Sequence, residues 1–169
     1  AISILSISKS FLPSLETSLI QNGQSYYQLS CQCENGLTIP YHISIKYNGS
    51  GRKLINSSIS DNLLPKHIIG EIPVIILSPD NKVITFGAPQ DRRQFLDSVL
   101  SQSSKIYIDE AIKFKKILKQ RNSLLNNYAT NRKIDNNLFN AISEMFILSA
   151  AEIISRRSKF INDFSPYFM

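Results

Sequence analysis

The chain has 169 residues, with 19 basic and 13 acidic side chains and a formal net charge of +6. A hydrophobic content of 43% excludes a disordered chain, and the 6 glycines and 2 cysteines exclude a collagen-like repeat or a disulfide scaffold. Apolar runs such as residues 74–77 are too short to cross a bilayer, and no signal peptide is visible. We therefore expect a cytoplasmic protein without membrane contact.

The first third of the chain predicts a helix end followed by a small sheet. Apolar residues from Ile2 to Leu5 indicate the last turns of a helix that begins upstream of Ala1. A period of two over residues 27–33 predicts a half-buried strand, and the turn residues Glu34-Asn35-Gly36 precede a second alternating run over residues 39–47. A second turn at residues 48–51 leads to a short strand at 52–56, so we expect a three-stranded antiparallel meander.

A continuous apolar run at residues 72–80 is bounded by prolines. This pattern is typical of a strand that is buried on both faces.

From Pro89 onward the apolar period is helical. We predict helices at about residues 89–100, 104–128 and 138–163, with the two long ones packed antiparallel. Asp135 or Asn136 would cap the third helix after a polar loop at 126–137. The inner side of the first helix is expected to hold Phe95, Leu96, Val99 and Leu100. The fold class is therefore α+β: an antiparallel meander plus a buried strand, followed by a helical lobe of three helices.

Residues with catalytic or metal-binding chemistry are sparse. Cys31 and Cys33 share one strand face, which is poor geometry for a disulfide, and a zinc site would need two further ligands, so we expect free, buried thiols. His42 should be solvated and His67 should lie in a loop. No phosphate-binding loop occurs in these residues. We expect no catalytic, cofactor-binding or metal-binding residue in this segment.

Two segments, GAPQDRRQFLD at residues 87–97 and KFKKILKQRNSLLNN at 113–127, are more specific than anything else in the chain. With an apolar strand ending near Ser-Pro-Asp and a later AEIISRR, they resemble the RecF family, which is similar to the ABC-type heads of Smc proteins. The residues that carry the resemblance are Ser78, Pro79, Asp80, Gly87, Pro89, Arg92, Arg93, Phe95, Leu96, Asp97, Lys119, Gln120, Arg121, Asn122 and Arg157. The opening residues also fit, through Ala1-Ile2 and Lys9-Ser10-Phe11. Leu12, where the family often has Arg, and Ala150, where it usually has Gly, depart from the family pattern.

The resemblance implies a middle fragment of a larger ATPase. Walker A would lie upstream of Ala1, and the signature and Walker B would lie beyond Met169. Residues 1–86 would then be part of ATPase lobe I and residues 87–169 the helical lobe II. The fragment itself would not be an enzyme.

For the intact protein the resemblance implies ATP and magnesium binding and an ATP-dependent homodimer. Such a protein would bind gapped DNA or junctions of single and double strands. It would help to load recombinase with RecR-like and RecO-like mediators in DNA replication, recombination, repair and the SOS response.

The positive charge is concentrated in the helical half, where residues 105–169 carry 11 basic and 6 acidic side chains. We expect DNA contacts from the exposed basic residues Lys113, Lys115, Lys116, Lys119, Arg92 and Arg93. The competing interpretation is a solvated helix face, with the two arginines bracing the lobes. In that case the helical lobe would be a docking module of an Smc-like ATPase without DNA contact. Arg121 interrupts an apolar stripe, which predicts a buried partner such as Glu144 or Glu152.

Overall fold

A computed structural model describes residues 1–12, 15–34, 40–78, 82–133 and 135–167. The chain divides into two compact units, Ala1–Asn81 and Lys82–Met169. The first unit holds a three-stranded sheet and the second holds the long helices. The predicted α+β class is confirmed.

The first unit begins with helix α1 (Ile2–Ile7), which ends where Ser8 adopts a left-handed conformation with φ 58°. The predicted helix end is thus confirmed. A 3-10 turn at Glu16–Leu19 follows, and helix α2 (Pro65–Ile68) lies after the sheet.

The sheet consists of β1 (Tyr27–Cys33), β2 (Tyr41–Tyr47) and β3 (Leu54–Ser57), all antiparallel and in the order β1-β2-β3. Ile45 is the central position of the register, opposite Leu29 on one side and Ile55 on the other. The predicted meander is confirmed. The turn residues 35 and 36 and the predicted strand start at residue 39 lie outside the described residues.

One face of this sheet forms the core of the first unit. Ile43, Ile45, Ile55 and Ile68 are fully buried, and Ile4 and Leu5 of α1 pack against them. Branched side chains at every second position suit a pleated surface that is covered on one side. The opposite face remains polar.

The predicted buried strand at 72–80 is wrong over the residues that the structure describes. Residues 73–78 have no regular secondary structure, and side chains alternate between half-buried and exposed. Ile75 and Leu77 are 98% and 93% exposed. A short apolar run shows that a segment is extended, but two-sided burial also needs elements packed against both faces, which periodicity does not report. Pro79 and Asp80 lie outside the described residues.

The second unit contains α3 (Val83–Phe86), α4 (Pro89–Ser103), α5 (Lys105–Asn131) and α6 (Asn136–Phe164). Pro89 occupies the first helical position of α4, where the missing amide proton costs nothing. The Ser104 hydroxyl accepts from the Tyr107 amide at 3.3 Å and caps α5. The Asp135 carboxylate accepts from the Leu138 amide at 3.1 Å and caps α6, as predicted.

Side-chain pairs show that α5 and α6 run antiparallel. Tyr107, near the start of α5, shares a core cluster with Ile153 near the end of α6. Seven residues further along α5 and seven residues back along α6, the rings of Phe114 and Phe146 lie 5.6 Å apart. The residue numbers of the contacting side chains therefore decrease on α6 as they increase on α5, which confirms the predicted αα-hairpin.

Two expectations about the helices need correction. Phe95, predicted to face inward from α4, is 42% exposed, whereas Leu100 on the same helix is buried. The segment Asn136–Tyr167 is also long and apolar enough to cross a membrane, although the uninterrupted apolar runs are short. Length and composition alone are weak evidence for a membrane span, because core helices of other proteins pass the same test.

The sheet core predicts a sharp contrast between two isoleucines. Ile45→Ala should lower the free energy of unfolding by about 2–5 kcal/mol, because it leaves a cavity at a fully buried site. Ile75→Ala, at a 98% exposed site, should change it by less than about 0.5 kcal/mol. Urea denaturation of both variants checks this, and equal losses would contradict the assigned core.

Candidate functional site

The described residues hold no group of three or more His, Cys, Asp or Glu side chains that could bind a metal. Cys31 and Cys33 are free thiols with sulfurs 3.3 Å apart, and both are half-buried rather than fully buried. A hydrogen bond with Cys31 and then burial raise the pKa of the Cys33 thiol, which lowers its reactivity at neutral pH. His42 is exposed. His67 lies in α2 rather than in a loop, and its Nδ1 accepts from the Leu64 amide at 3.2 Å.

Three helices of the second unit meet at a polar cluster. Asp97 on α4 accepts two hydrogen bonds from Arg157 on α6, from Nε at 2.9 Å and Nη2 at 2.7 Å. Tyr107 on α5 donates its hydroxyl proton to the same Asp97 oxygen, and Arg157 Nε also approaches that hydroxyl oxygen at 3.3 Å. One carboxylate thus connects all three long helices.

Burial and the pKa of Tyr107 make this cluster a structural contact and not a site of proton transfer. Tyr107 is fully buried, and the side chains of Arg157 and Asp97 are 18% and 22% exposed. Burial, followed by the hydrogen bond to Asp97, raises the pKa of Tyr107 to about 12. The phenol therefore stays protonated near neutral pH and keeps donating to the carboxylate.

Two of these residues belong to motifs singled out in the sequence, and the third was missed. Asp97 ends the first motif and Arg157 ends AEIISRR, 60 positions later. Tyr107 lies in the predicted helix at 104–128, and its spacing there marks it only as one of the apolar residues of that helix. Its position beside the Ser104 cap was a usable signal, because a tyrosine buried at a helix start needs a partner for its hydroxyl.

The residues before α4 form a tight hydrogen-bonded turn. The Ala88 amide donates to the Asp91 carboxylate at 2.7 Å, and Arg92 Nη1 donates to the Gly87 carbonyl at 3.1 Å. The Arg92 guanidinium is therefore held by the backbone just before α4. The side chain of Arg93 is exposed. Of the Ser-Pro-Asp motif, only Ser78 is described, and it is half-buried.

The basic residues of α5 share an exposed surface. Lys113, Lys115, Lys116 and Lys119 are all exposed, and Lys113 lies 3.6 Å from the Glu110 carboxylate. A shallow depression of about 470 Å³ follows the helix. It is lined by Lys115, Leu118, Lys119, Asn122, Ser123, Asn126 and Asn127. The sequence predicted the lysines, but it did not predict the amides that continue the same surface.

Arg121 does not form the predicted ion pair with Glu144 or Glu152. Its guanidinium carbon lies 5.4 Å from the ring centroids of both Phe139 and Phe146. Glu152 instead accepts from Arg156 at 2.6 Å. Aromatic faces can stabilise a weakly hydrated guanidinium without a carboxylate. Within the described residues, no acceptor reaches the buried Nε of Arg121.

A second depression, of about 680 Å³, lies in the first unit. Lys53 crosses it, donating to the Ser8 carbonyl and to the Glu16 carboxylate, with only 9% of its side chain exposed. The ion pair fixes the 3-10 turn against the sheet. The charge of Lys53 is therefore compensated by Glu16.

The chain is similar to RecF proteins from several bacteria. It is 37% identical over 130 residues to a DNA replication and repair protein RecF from Prosthecochloris aestuarii, a match that covers 76% of the chain and 34% of that protein. It is 30% identical over 169 residues to the RecF of Flavobacterium johnsoniae, covering 99% of the chain and 46% of that protein. The chain thus spans less than half the length of these relatives. No protein-family model matches it.

Solved structures agree with the sequence relatives. The structure of the recombination mediator protein RecF-ATPrS in the RecFOR pathway superposes with a TM-score of 0.88 at 25% identity. The corresponding RecF-ATP structure superposes with a TM-score of 0.86. Each match covers 95% of this chain and 43% of the other.

The polar cluster predicts an alkaline loss of stability. Tyr107→Phe should cost about 1–3 kcal/mol below pH 10, because it removes a buried hydrogen bond to a charged group. The pKa of Tyr107 is about 12 in the folded protein and has an ordinary value of 10.0, so the tyrosine contribution is complete below pH 10 and is lost as the pH rises toward 12. Urea midpoints at pH 8, 10 and 12 measure it, and a gap between wild type and variant that stays constant with pH would contradict this assignment.

Proposed function

The chain belongs to the RecF family of DNA replication and repair proteins, and from that premise we propose that it is the part that meets DNA through α5. One observation supports this most directly: between residues 111 and 131, α5 carries four lysines and one arginine and no carboxylate. Lysines without an ion pair, as Lys115, Lys116 and Lys119 are within the described residues, attract phosphates and release the counterions condensed on them. Arg93 at the start of α4 is an exposed positive charge in the same unit, whereas Arg92 is held by the Gly87 carbonyl.

The lysines of α5 differ in how well their positions suit phosphate binding. On a helix with about 100° per residue, Lys115, Lys116 and Lys119 lie within one arc of about 100°, and no ion pair holds them within the described residues. Lys113 points away from Lys115 and has Glu110 as its neighbour. We therefore assign the leading role to Lys116 and Lys119, with Lys115 beside them.

We propose that the intact protein binds ATP with magnesium and forms an ATP-dependent homodimer in the cytoplasm. The ATP-bound forms of the neighbouring RecF structures support the binding of ATP. Residues 1–86 would then belong to ATPase lobe I and residues 87–169 to the helical lobe II. This segment would contribute neither Walker motif, so ATP hydrolysis would depend on residues outside it.

We further propose that such a protein acts at gapped DNA or at junctions of single and double strands. It would act there with RecR-like and RecO-like mediators to load recombinase.

A second candidate is a docking module that meets a mediator protein and not DNA. It is favoured by exposed apolar side chains on α6, where Ile147, Leu148 and Ile154 are 63%, 74% and 59% exposed. If this is the function, a RecR-like mediator should bind the protein equally well with and without saturating DNA. Competition between the two ligands would instead favour a shared surface.

Charge reversal on α5 tests the DNA contact. In the full-length protein, Lys116→Glu with Lys119→Glu should weaken duplex binding by about 10- to 100-fold and lower the salt slope by about two, since each lost phosphate contact removes about 0.9. Fluorescence anisotropy at several salt concentrations measures both quantities.

The matched control is Lys133→Glu with Lys159→Glu. It makes the same change in net charge at exposed lysines outside the α5 surface. Equal losses in the two double variants would reduce the effect to overall charge and would contradict a specific role for α5.

A further inference from the structure

We propose that the outer face of the β1-β2-β3 sheet binds single-stranded DNA, with Tyr26 stacking on a base. The inference extends the proposed DNA-binding function to a surface in the other unit of the chain. It shares the premise that the protein engages DNA, but it does not depend on the α5 lysines.

Seven of the eight strand side chains on the outer face carry hydrogen-bonding groups. Strand alternation places eight residues on it: Gln28, Ser30, Gln32, His42, Ser44, Lys46, Leu54 and Asn56. The register sets Gln28 beside Lys46 and sets Ser44 between Ser30 and Asn56. Amides, hydroxyls and lysine are the groups that contact sugars and phosphates in protein–DNA complexes.

The same face carries no carboxylate on any of its three described strands. Within the three strands nothing repels a phosphate backbone, and Lys46 supplies a positive charge. The exposed Glu34 follows β1 on the side of Gln32, at the opposite end of the strand from Tyr26 and Lys46. Leu54 and the ring of Tyr26 are the apolar groups of this face, and the rest is polar, whereas protein interfaces concentrate apolar and aromatic anchors at a central buried patch.

An aromatic ring stands at the edge of this face. Tyr26 immediately precedes β1 and shares the side of Gln28, and it is 44% exposed. Lys46 Nζ lies 4.2 Å from its ring centroid. An exposed ring beside a cation lets one nucleotide stack its base and pair its phosphate at the same place.

These features favour a single strand over a duplex. The bases of a duplex are stacked on one another, so their faces cannot reach a protein ring, whereas the bases of a single strand are free to stack on it. A flat sheet with one lysine also offers much less charge for duplex phosphates than α5 does. The two surfaces would therefore prefer different forms of DNA.

The experiment measures binding of the full-length protein to a 20-nucleotide oligo-dT and to a duplex of equal length. Tyr26→Ala should weaken oligo-dT binding by about 10-fold, the loss expected for one stacked base, and should change duplex binding by less than twofold. Tyr26→Phe should keep wild-type affinity. Tyr167→Ala, at an 84% exposed tyrosine of the helical unit, is the matched control and should have no effect.

An oligonucleotide containing 2-aminopurine provides a readout of stacking itself. Its fluorescence should be quenched by the wild type and by Tyr26→Phe, and quenching should be lost with Tyr26→Ala. Circular dichroism of each variant confirms that the fold is kept. Unchanged oligo-dT affinity in a folded Tyr26→Ala protein overturns the inference, as does an equal loss of duplex binding.

The double charge reversal on α5 separates the two hypotheses. If it spares duplex binding while Tyr26→Ala still weakens oligo-dT binding, the α5 proposal fails and the sheet inference stands. The reverse pattern overturns the sheet inference alone.

Discussion

The helical unit depends on one carboxylate. Asp97 accepts hydrogen bonds from Tyr107 and Arg157 on one carboxylate oxygen, so α4, α5 and α6 are joined at a single atom. A carboxylate removed from water is costly unless its lone pairs are satisfied, and here a phenol and a guanidinium satisfy them together. The hairpin of α5 and α6 is thereby fixed relative to α4 at its open end, and the lysine surface of α5 is held on a rigid support.

Local patterns predicted much of this architecture because each depends on neighbouring residues. Alternation over residues 27–33 and 41–47 placed the strands and their inner face, and 3–4 spacing placed the three long helices. The motif resemblance to RecF, carried by residues such as Asp97 and Arg157, is confirmed by relatives that match 99% of the chain and by the structural superposition. Spacing could not show that these two side chains meet, because 60 residues separate them.

The predictions that are wrong concern residues whose environment depends on partners far away in the sequence. The apolar run at 72–77 was expected inside a sheet, yet Ile75 and Leu77 are almost fully exposed. Arg121 was expected to need a carboxylate, whereas two phenylalanine rings of α6 accept its guanidinium. In both cases the residue type indicated a need for burial or for a partner. The identity of that partner was decided by tertiary packing, which a local pattern does not encode.

The two proposed DNA-binding surfaces rely on different interactions, so they would respond differently to salt. The α5 surface would act through lysines such as Lys116 and Lys119, so its contribution would fall steeply as salt rises. The sheet face would act through stacking on Tyr26 and through uncharged amides and hydroxyls, which salt screens far less. As ionic strength increases, discrimination should therefore shift from duplex toward single strands. A protein with only the lysine surface would lose both forms of DNA together.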